Sequence, residues 1–306
     1  MRPASRTTPG VTVGIPFFNE EDHLGSAIRS VLAQTVEDLE VLLVDDGSTD
    51  RSLAIARSFD DPRVVVISDG QRRHLPARLN EITRRARGEI VARMDADDVS
   101  HPRRLALQLD VAARDPSCDA IGTWTALVAE DGAILAITET GALRASPRTA
   151  LEHGVISHAT MIARRGWLRA NPYDERLTRV EDRDLWCRTV RTSSFAVVPL
   201  PLYVNRIFPH EAGFLASYLE SQRQNRILIL RHGPGSVGIG AAARLWAASH
   251  AKGVVMRAAF VSGLAERLIR RRGRPPRDAE RALVLEAMSA GSPAGAEHRD
   301  QRAQRA

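Results

Sequence analysis

The chain of 306 residues is 43% hydrophobic and 26% charged, enough to bury a full core in one or two domains. Its two cysteines, Cys118 and Cys187, are too few for a disulfide scaffold, no N-x-[ST] acceptor occurs, and residues 1–10 lack the apolar segment of a signal peptide. No run reaches the roughly 18 apolar residues needed to cross a bilayer, so a cytoplasmic protein in a reducing compartment is the expectation. The formal charge of +6 is uneven: residues 237–277 hold eight Arg and Lys252 against Glu266, a balance of +8, which leaves −2 for the remainder.

In chain order, residues 11–15 read as a short β-rich strand that breaks at Pro16-Phe-Phe-Asn-Glu20, after which Leu24, Ala27, Ile28, Val31 and Leu32 recur at helical spacing. Residues 39–44 form a near-continuous apolar strand ending in Asp45-Asp-Gly-Ser-Thr-Asp50, turn residues that lead into a helix carrying Leu53, Ala56 and Phe59. A third strand spans 64–67, a helix with Leu79 and Ile82 inward spans 77–86, and a fourth strand spans 90–94. Strands alternating with helices predict βαβ units and a mostly parallel sheet buried on both faces.

Three of these strand ends are polar and rich in acids: Asn19 and Glu20, Asp45 and Asp46, and Asp95, Asp97 and Asp98. In open α/β sheets, ligands bind in the crevice beyond the carboxyl ends of the strands. Three carboxylates within four positions gather charge that a cation or solvent must compensate. Oxygen-only ligation suits Mg²⁺ or Mn²⁺ completed by substrate phosphates, so a nucleotide-plus-metal site is the economical reading. The plainer alternative is a solvated acidic turn capping the helix near Pro102.

The segments VTVGIPFFNEE, SVLAQT and LEVLLVDDGSTD, followed by ARGEIVARMDADDVSHPRRL and later by VEDRDLWCRT, resemble the family 2 inverting glycosyltransferases of the GT-A fold over roughly residues 10–210. The resemblance implies an α/β nucleotide-diphospho-sugar transferase fold, with a mostly parallel central sheet flanked by helices. After an N-terminal tail, 1–10, one domain would cover 11–220, its nucleotide-sugar half at 11–115 and its acceptor half at 116–220. It implies that Pro16 and Phe18 flank the base, with Asn19 and Glu20 in the same loop, that Asp46 hydrogen-bonds the base, and that Asp95 and Asp97 contact ribose and metal. Asp98 shares the metal role, because the triplet leaves the ligand register ambiguous.

Glu181-Asp182 is similar to the family's Glu-Asp element, in which the Asp removes the acceptor hydroxyl proton while the anomeric carbon is attacked from the face opposite the leaving diphosphate. Asp182 is then the base and Glu181 an acceptor-binding or supporting group. An acid pair favoured by the dipole of the helix carrying Leu185, Trp186 and Thr189 is the structural alternative, and the two are compatible. The implied activity is metal-dependent transfer, with Mn²⁺ or Mg²⁺, of a sugar from a nucleotide-diphosphate donor to a sugar or lipid-linked saccharide, in cell-surface polysaccharide or glycolipid synthesis. Two alternatives stand beside it: a catalytically silent nucleotide-sugar-binding or scaffold protein, and a nucleotidyltransferase of the same topology. The latter usually has a glycine-rich, basic first loop, which is absent here.

Arg78 and Asn80 lie in Leu75-Pro-Ala-Arg-Leu-Asn80, which resembles the family segment before the helix preceding Asp-x-Asp, and Arg78 is counted with the donor-binding residues. Arg72 and Arg73 lie in a polar loop, either reaching the diphosphate or solvated. His158 matches a family position near the acceptor or is a packed core histidine. Arg206 and His210 follow the strand-like stretch 195–204, in a loop that would close over phosphate or metal. Trp124, Trp167 and Trp186 read as core or pocket wall.

Gly233-Pro-Gly235-Ser-Val-Gly238 fits G-x-G-x-x-G by letter, but it follows an expected helix at 221–232 and reads as a helix break. No Walker loop, zinc spacing or G-x-S-x-G elbow occurs. Residues 221–288 read as a basic helical extension, in which Leu245, Trp246, Val254, Val255, Met256 and Phe260 interleave with cations ahead of Arg270-Arg-Arg-Gly-Arg274. Such a segment either lies on an anionic membrane, which would make the protein peripheral on the inner face of the plasma membrane, or packs on the core with a solvated basic face. Nucleic acid is disfavoured by an aromatic content of 5% and the lack of a recognition motif. Residues 289–306 read as a disordered end.

Overall fold

Strand β1 (Val11–Phe17) is fully buried and pairs in parallel with β2 (Leu39–Asp45) on one side and β4 (Ile90–Arg93) on the other, while β2 pairs in parallel with β3 (Val64–Ser68). In the computed structural model, which describes residues 9–141, 144–208, 213–262, 264 and 273–293, this gives the order β3-β2-β1-β4. Each connection is a helical crossover: α1 (Leu24–Leu32), α2 (Ser52–Arg57) and α3 (His74–Arg85). The apolar residues alternate between two cores, as a sheet covered on both faces requires. Val41 and Leu43 of β2 join Leu24, Ile28 and Val31 of α1, whereas Leu42 and Val44 join Leu79 and Ile82 of α3.

The parallel arrangement holds for this first half, and the second half makes the sheet mixed. After β5 (Val99–Ser100) and α4 (Arg104–Arg114), the strands are β6 (Ala120–Ala129), β7 (Ile134–Thr138), β8 (Ile162–Arg164) and β9 (Phe195–Ile207). β8 runs antiparallel to both β4 and β6, β7 antiparallel to β6, and β9 parallel to β6 but antiparallel to β5. Between them lie α5 (Pro147–Glu152), a 3-10 turn at His158–Thr160, α6 (Arg165–Ala170) and α7 (Glu181–Thr189). Trp186 is fully buried, stacked on Trp167 and edge-on to Phe195, so this pair belongs to the core.

The helical extension differs from its sequence reading in two places. Helix α8 (Phe214–Val237) continues through Gly233-Pro234-Gly235, where a break was expected, and the chain turns only at Gly238, whose φ of 82° suits glycine. Gly233 is explained by packing, since a Cβ there would lie 2.8 Å from Ala242 on α9 (Ile239–Val261). Helix α10 (Asp278–Gly291) reaches past residue 289, where disorder was expected, and returns to the sheet. It packs on α1, β5 and β9, and Arg29 Nε donates to the Gly291 carbonyl at 2.9 Å. Arg274, counted above among the tail cations, pairs with Glu139 and Glu280 at 2.6 Å each and lies over the Trp124 ring. The arginines at 267 and 270–272, and residues 294–306 of the expected disordered end, lie outside the described residues. Among the described residues no helix is long and apolar enough to cross a membrane.

Candidate active site

The order 3-2-1-4 puts the switch point of the sheet between β1 and β4, and the loops after β1, β2 and β4 meet at that edge. A cleft of about 280 Å³ opens there. Pro16, Phe18 and Glu20 line it from the first loop, Asp46 from the second, Asp95 and Asp97 from the third, and Arg72 and Arg78 from the segment after β3. Asn19 and Asp98 lie outside this wall. Asn19 instead ties the first loop to the second, its Oδ1 accepting from Thr49 N at 2.8 Å, and it borders an adjoining acidic cleft of about 290 Å³ shared by Glu20, Asp50 and Asp97.

Asp46 and Arg78 face the cleft, but their polar atoms are already engaged by protein. The Asp46 carboxylate accepts from Arg73 N at 2.7 Å, His74 N at 3.1 Å and Arg78 Nε at 2.9 Å, and Arg72 Nε lies 3.4 Å away. The fully buried Arg78 uses all five of its N–H groups, on Asp46, Asp69, Glu81 and the Gln71 carbonyl. The two residues thus shape the loop that walls the cleft. Arg72 puts its guanidinium 3.2 Å from the Phe18 ring centroid, so Phe18 presents one face already capped by a cation. Asn80 joins α3 to the Tyr173 segment through Tyr173 N and O and does not line the cleft.

One carboxylate oxygen each of Asp95, Asp97 and Asp98 lies within 4.8 Å of the others. Asp98 is fully buried and accepts from Asn205 Nδ2 at 3.1 and 3.0 Å and from Arg206 N at 2.9 Å. Asp95 accepts from Arg93 at 2.6 Å. Burial, and then Asp95, push the Asp97 carboxyl up to about 6, and burial with Asp97 raises Asp98 well above the carboxylate range. Such crowding of buried oxygens favours a divalent cation: the donor set is all oxygen, two of its members border the cleft, and the charge is undercompensated by protein. Arg206 adds NH1 to the Asp97 carbonyl at 2.8 Å and NH2 to Ser26, while His210 lies outside the described residues.

Helix α7 presents Glu181 and Asp182 in its first turn. Burial, and then Asp182, push the Glu181 carboxyl up to about 8, and burial also raises Asp182. Glu181 Oε2 is buried without a protein hydrogen-bond partner. His158 lies behind, its Nε2 sharing a 2.8 Å hydrogen bond with the Tyr173 hydroxyl and its Nδ1 3.9 Å from Glu181; burial lowers its pKa well below the usual value, so it is neutral.

Arg93, unassigned in the sequence because it sits inside an apolar strand, is the cation that acts on both acid groups. It bonds Asp95 directly and its charge acts on Asp97, Glu181 and Asp182. A buried arginine in a central strand is itself the signal that was available. Tyr203 and Asn205 were also missed as partners of the acidic loop, Tyr203 accepting from Asp95 N at 3.0 Å.

A cleft at the switch point lined by carboxylates defines a ligand site of the nucleotide-binding α/β class, and similarity to known proteins places it more closely. The family model described as "Glycosyl transferase family 2" matches residues 12–168, and the chain belongs to that family. EpsE of Bacillus subtilis (strain 168) is 31% identical over 188 residues, covering 59% of this chain and 66% of EpsE. A chondroitin synthase of Escherichia coli is 26% identical over 237 residues, covering 76% of this chain and 34% of the synthase. The match therefore spans less than two thirds of either relative. Among solved structures, the mannosyltransferase PcManGT from Pyrobaculum calidifontis, in complex with GDP-Man and Mn²⁺, superposes with a TM-score of 0.57 at 18% identity, covering 99% of this chain and 81% of that one, which shows the GT-A fold.

Proposed function

We propose that the protein moves a sugar from a nucleotide-diphosphate donor to a saccharide hydroxyl with inversion and with the help of Mn²⁺ or Mg²⁺, in polysaccharide or glycolipid synthesis at the cytoplasmic face of the cell envelope. The observation that carries this reading is the placement of Asp95 and Asp97 on the cleft wall, with Glu181 and Asp182 near enough that the charge of Arg93 acts on both acid groups. The mannosyltransferase complex and the chondroitin synthase support the donor class and the product class.

In this mechanism Pro16 and Phe18 hold the base, and Asp95 and Asp97, backed by Asp98, would hold the cation. A divalent cation such as Mn²⁺ or Mg²⁺ held by these residues would supply charge neutralisation for the departing diphosphate. Asp182 takes the proton of the acceptor hydroxyl as its oxygen attacks the anomeric carbon and the bond to the diphosphate breaks on the opposite face. Glu181, protonated near neutral pH, donates a hydrogen bond that orients the acceptor. Arg93 keeps the like-charged groups from repelling one another.

Calorimetry with UDP, dTDP, GDP and CDP, each with Mn²⁺, Mg²⁺ or EDTA, tests the donor site in the wild type and in Asp97→Ala. Metal-dependent binding of one nucleotide, lost in the variant, is expected. Absence of binding under every condition would sink the assignment. Asp182→Asn that binds donor but no longer transfers separates a transferase from a silent binding protein.

A further inference from the structure

Of the eleven large apolar residues exposed among the described residues, eight lie between Ile227 and Leu264, on or just after the α8–α9 hairpin. Helix α9 is the extreme case. Its only charged residues are Arg244, Lys252 and Arg257, and a helix that is apolar nearly all round normally has neighbours all round. Here α8 is its one substantial packing partner among the described elements. Its inner stripe of Ala242, Ser249, Gly253, Met256 and Ala259 is buried, while Ile239 (79% exposed), Val254 (68%) and Val261 (87%) stand in solvent with Trp246 and Val255.

The charge around this face is predominantly positive. Residues 221–262 contain Arg223, Arg226, Arg231, Arg244, Lys252 and Arg257 and no acid, and the chain continues in sequence into Arg267 and Arg270 to Arg272. Of the cations within the hairpin, Arg223 is neutralised by Glu220 and Arg231 by Asp174 and Asp184, whereas Arg244, Lys252 and Arg257 are exposed on α9 itself. Val254 and Val261, seven residues apart, lie on one side of the helix. Arg244 and Arg257 fall on opposite flanks of that stripe at helical spacing. Exposed aliphatic and indole groups bordered by cations are the chemistry of an interfacial helix.

We propose that the outer face of α9 rests on an anionic lipid bilayer surface, the hairpin lying on the membrane without crossing it. The hairpin is anchored beside the acceptor acids. Leu228 and Ile229 pack with Val180, the residue before Glu181, while Arg183 donates to Asn225 at 2.6 Å and His232 bonds Asp184 at 2.8 Å. The anchoring runs through α8, so a bilayer on the outer face of α9 holds the whole domain at the lipid surface, and, on the transferase reading above, this favours a lipid-linked acceptor over a free sugar.

The test is vesicle flotation of the full chain without donor or acceptor, so its failure is independent of any failure of the transferase reading. Vesicles are phosphatidylcholine alone, or with one part in three phosphatidylglycerol. Expected are flotation with the anionic vesicles only, release by added salt, and a loss of binding of roughly tenfold or more in Arg244→Glu/Arg257→Glu and in Val254→Asp/Val255→Asp. Both pairs are exposed, and an unchanged Tm verifies folding; the wild-type comparison of the two lipids stands without them. Equal binding to both vesicles, no binding to either, or variants that float like the wild type overturn the proposal. So does a wild-type dimer in sedimentation that the valine pair dissociates, because the face then belongs to a second copy of the chain.

Discussion

The two sides of the site are built on opposite plans. Around the base-binding part of the donor cleft, polar groups outside the acidic triplet are satisfied before any ligand arrives: Arg78 has no N–H left, Asp46 accepts from several donors, and Asn19 is tied to Thr49. On the acceptor side Glu181 Oε2 and Arg183 Nε, together with Arg93 Nε, are buried without a protein partner. Leaving such a group unmade costs about 1–3 kcal/mol. The contrast suggests that rigidity is placed where a constant nucleotide sits, and unmet hydrogen-bonding capacity where a hydroxyl-rich acceptor relieves it.

Changes on either side sharpen or break that comparison. The largest effect is expected for Asp182→Asn, which should lower kcat by roughly 10²–10⁴ with donor affinity unchanged, read by steady-state kinetics beside calorimetry. Next, Arg78→Met should destabilise the fold by about 3–5 kcal/mol in urea denaturation, because it leaves buried carboxylates without their cation. If Arg78→Met melted like the wild type, the pre-satisfied picture of the donor side would fail.

Glu181 gives a pH signature of opposite sense to an ordinary salt-bridged acid. Its carboxyl is raised from 4.5 to about 8 on folding, so the native state holds a proton that the unfolded chain releases. Its contribution is therefore fully favourable below about 4.5 and is lost as pH rises towards about 8. Thermal melts should show that loss in the wild type and a flatter profile in Glu181→Gln. The glutamine variant, which keeps a hydrogen-bond donor, should also retain more turnover near neutral pH than Glu181→Ala. The smallest effect is expected for Arg72→Ala, a two- to fivefold weaker nucleotide Kd from the loss of an exposed cation–ring contact worth about 0.5–1 kcal/mol.

The first half of the fold was legible because its signals are local. Alternating apolar residues set strands β1 to β4, and polar residues at their ends mark the cleft edge. The second half was less so, since β6, β8 and β9 combine parallel and antiparallel neighbours that periodicity does not distinguish. The register of the acidic triplet was hidden for a similar reason: what sets Asp98 apart from Asp97 is Asn205, distant in sequence. Arg93 was passed over because the run around it is apolar, and Gly233 was read as a turn residue when the close approach of α9 explains it.

Strand β9 has a consequence for how the protein is made. Asp98 finds its partners in Asn205 and Arg206, and the Asp95 amide finds the Tyr203 hydroxyl, across 107 and 108 residues of chain. During synthesis the acidic loop therefore emerges from the ribosome long before the groups that hold it, and a nascent chain ending short of β9 lacks those partners. For an engineer the same fact sets a grafting rule: the two halves are not interchangeable modules, and a transplanted acceptor half must bring a final strand with a Tyr, Asn and Arg in these positions.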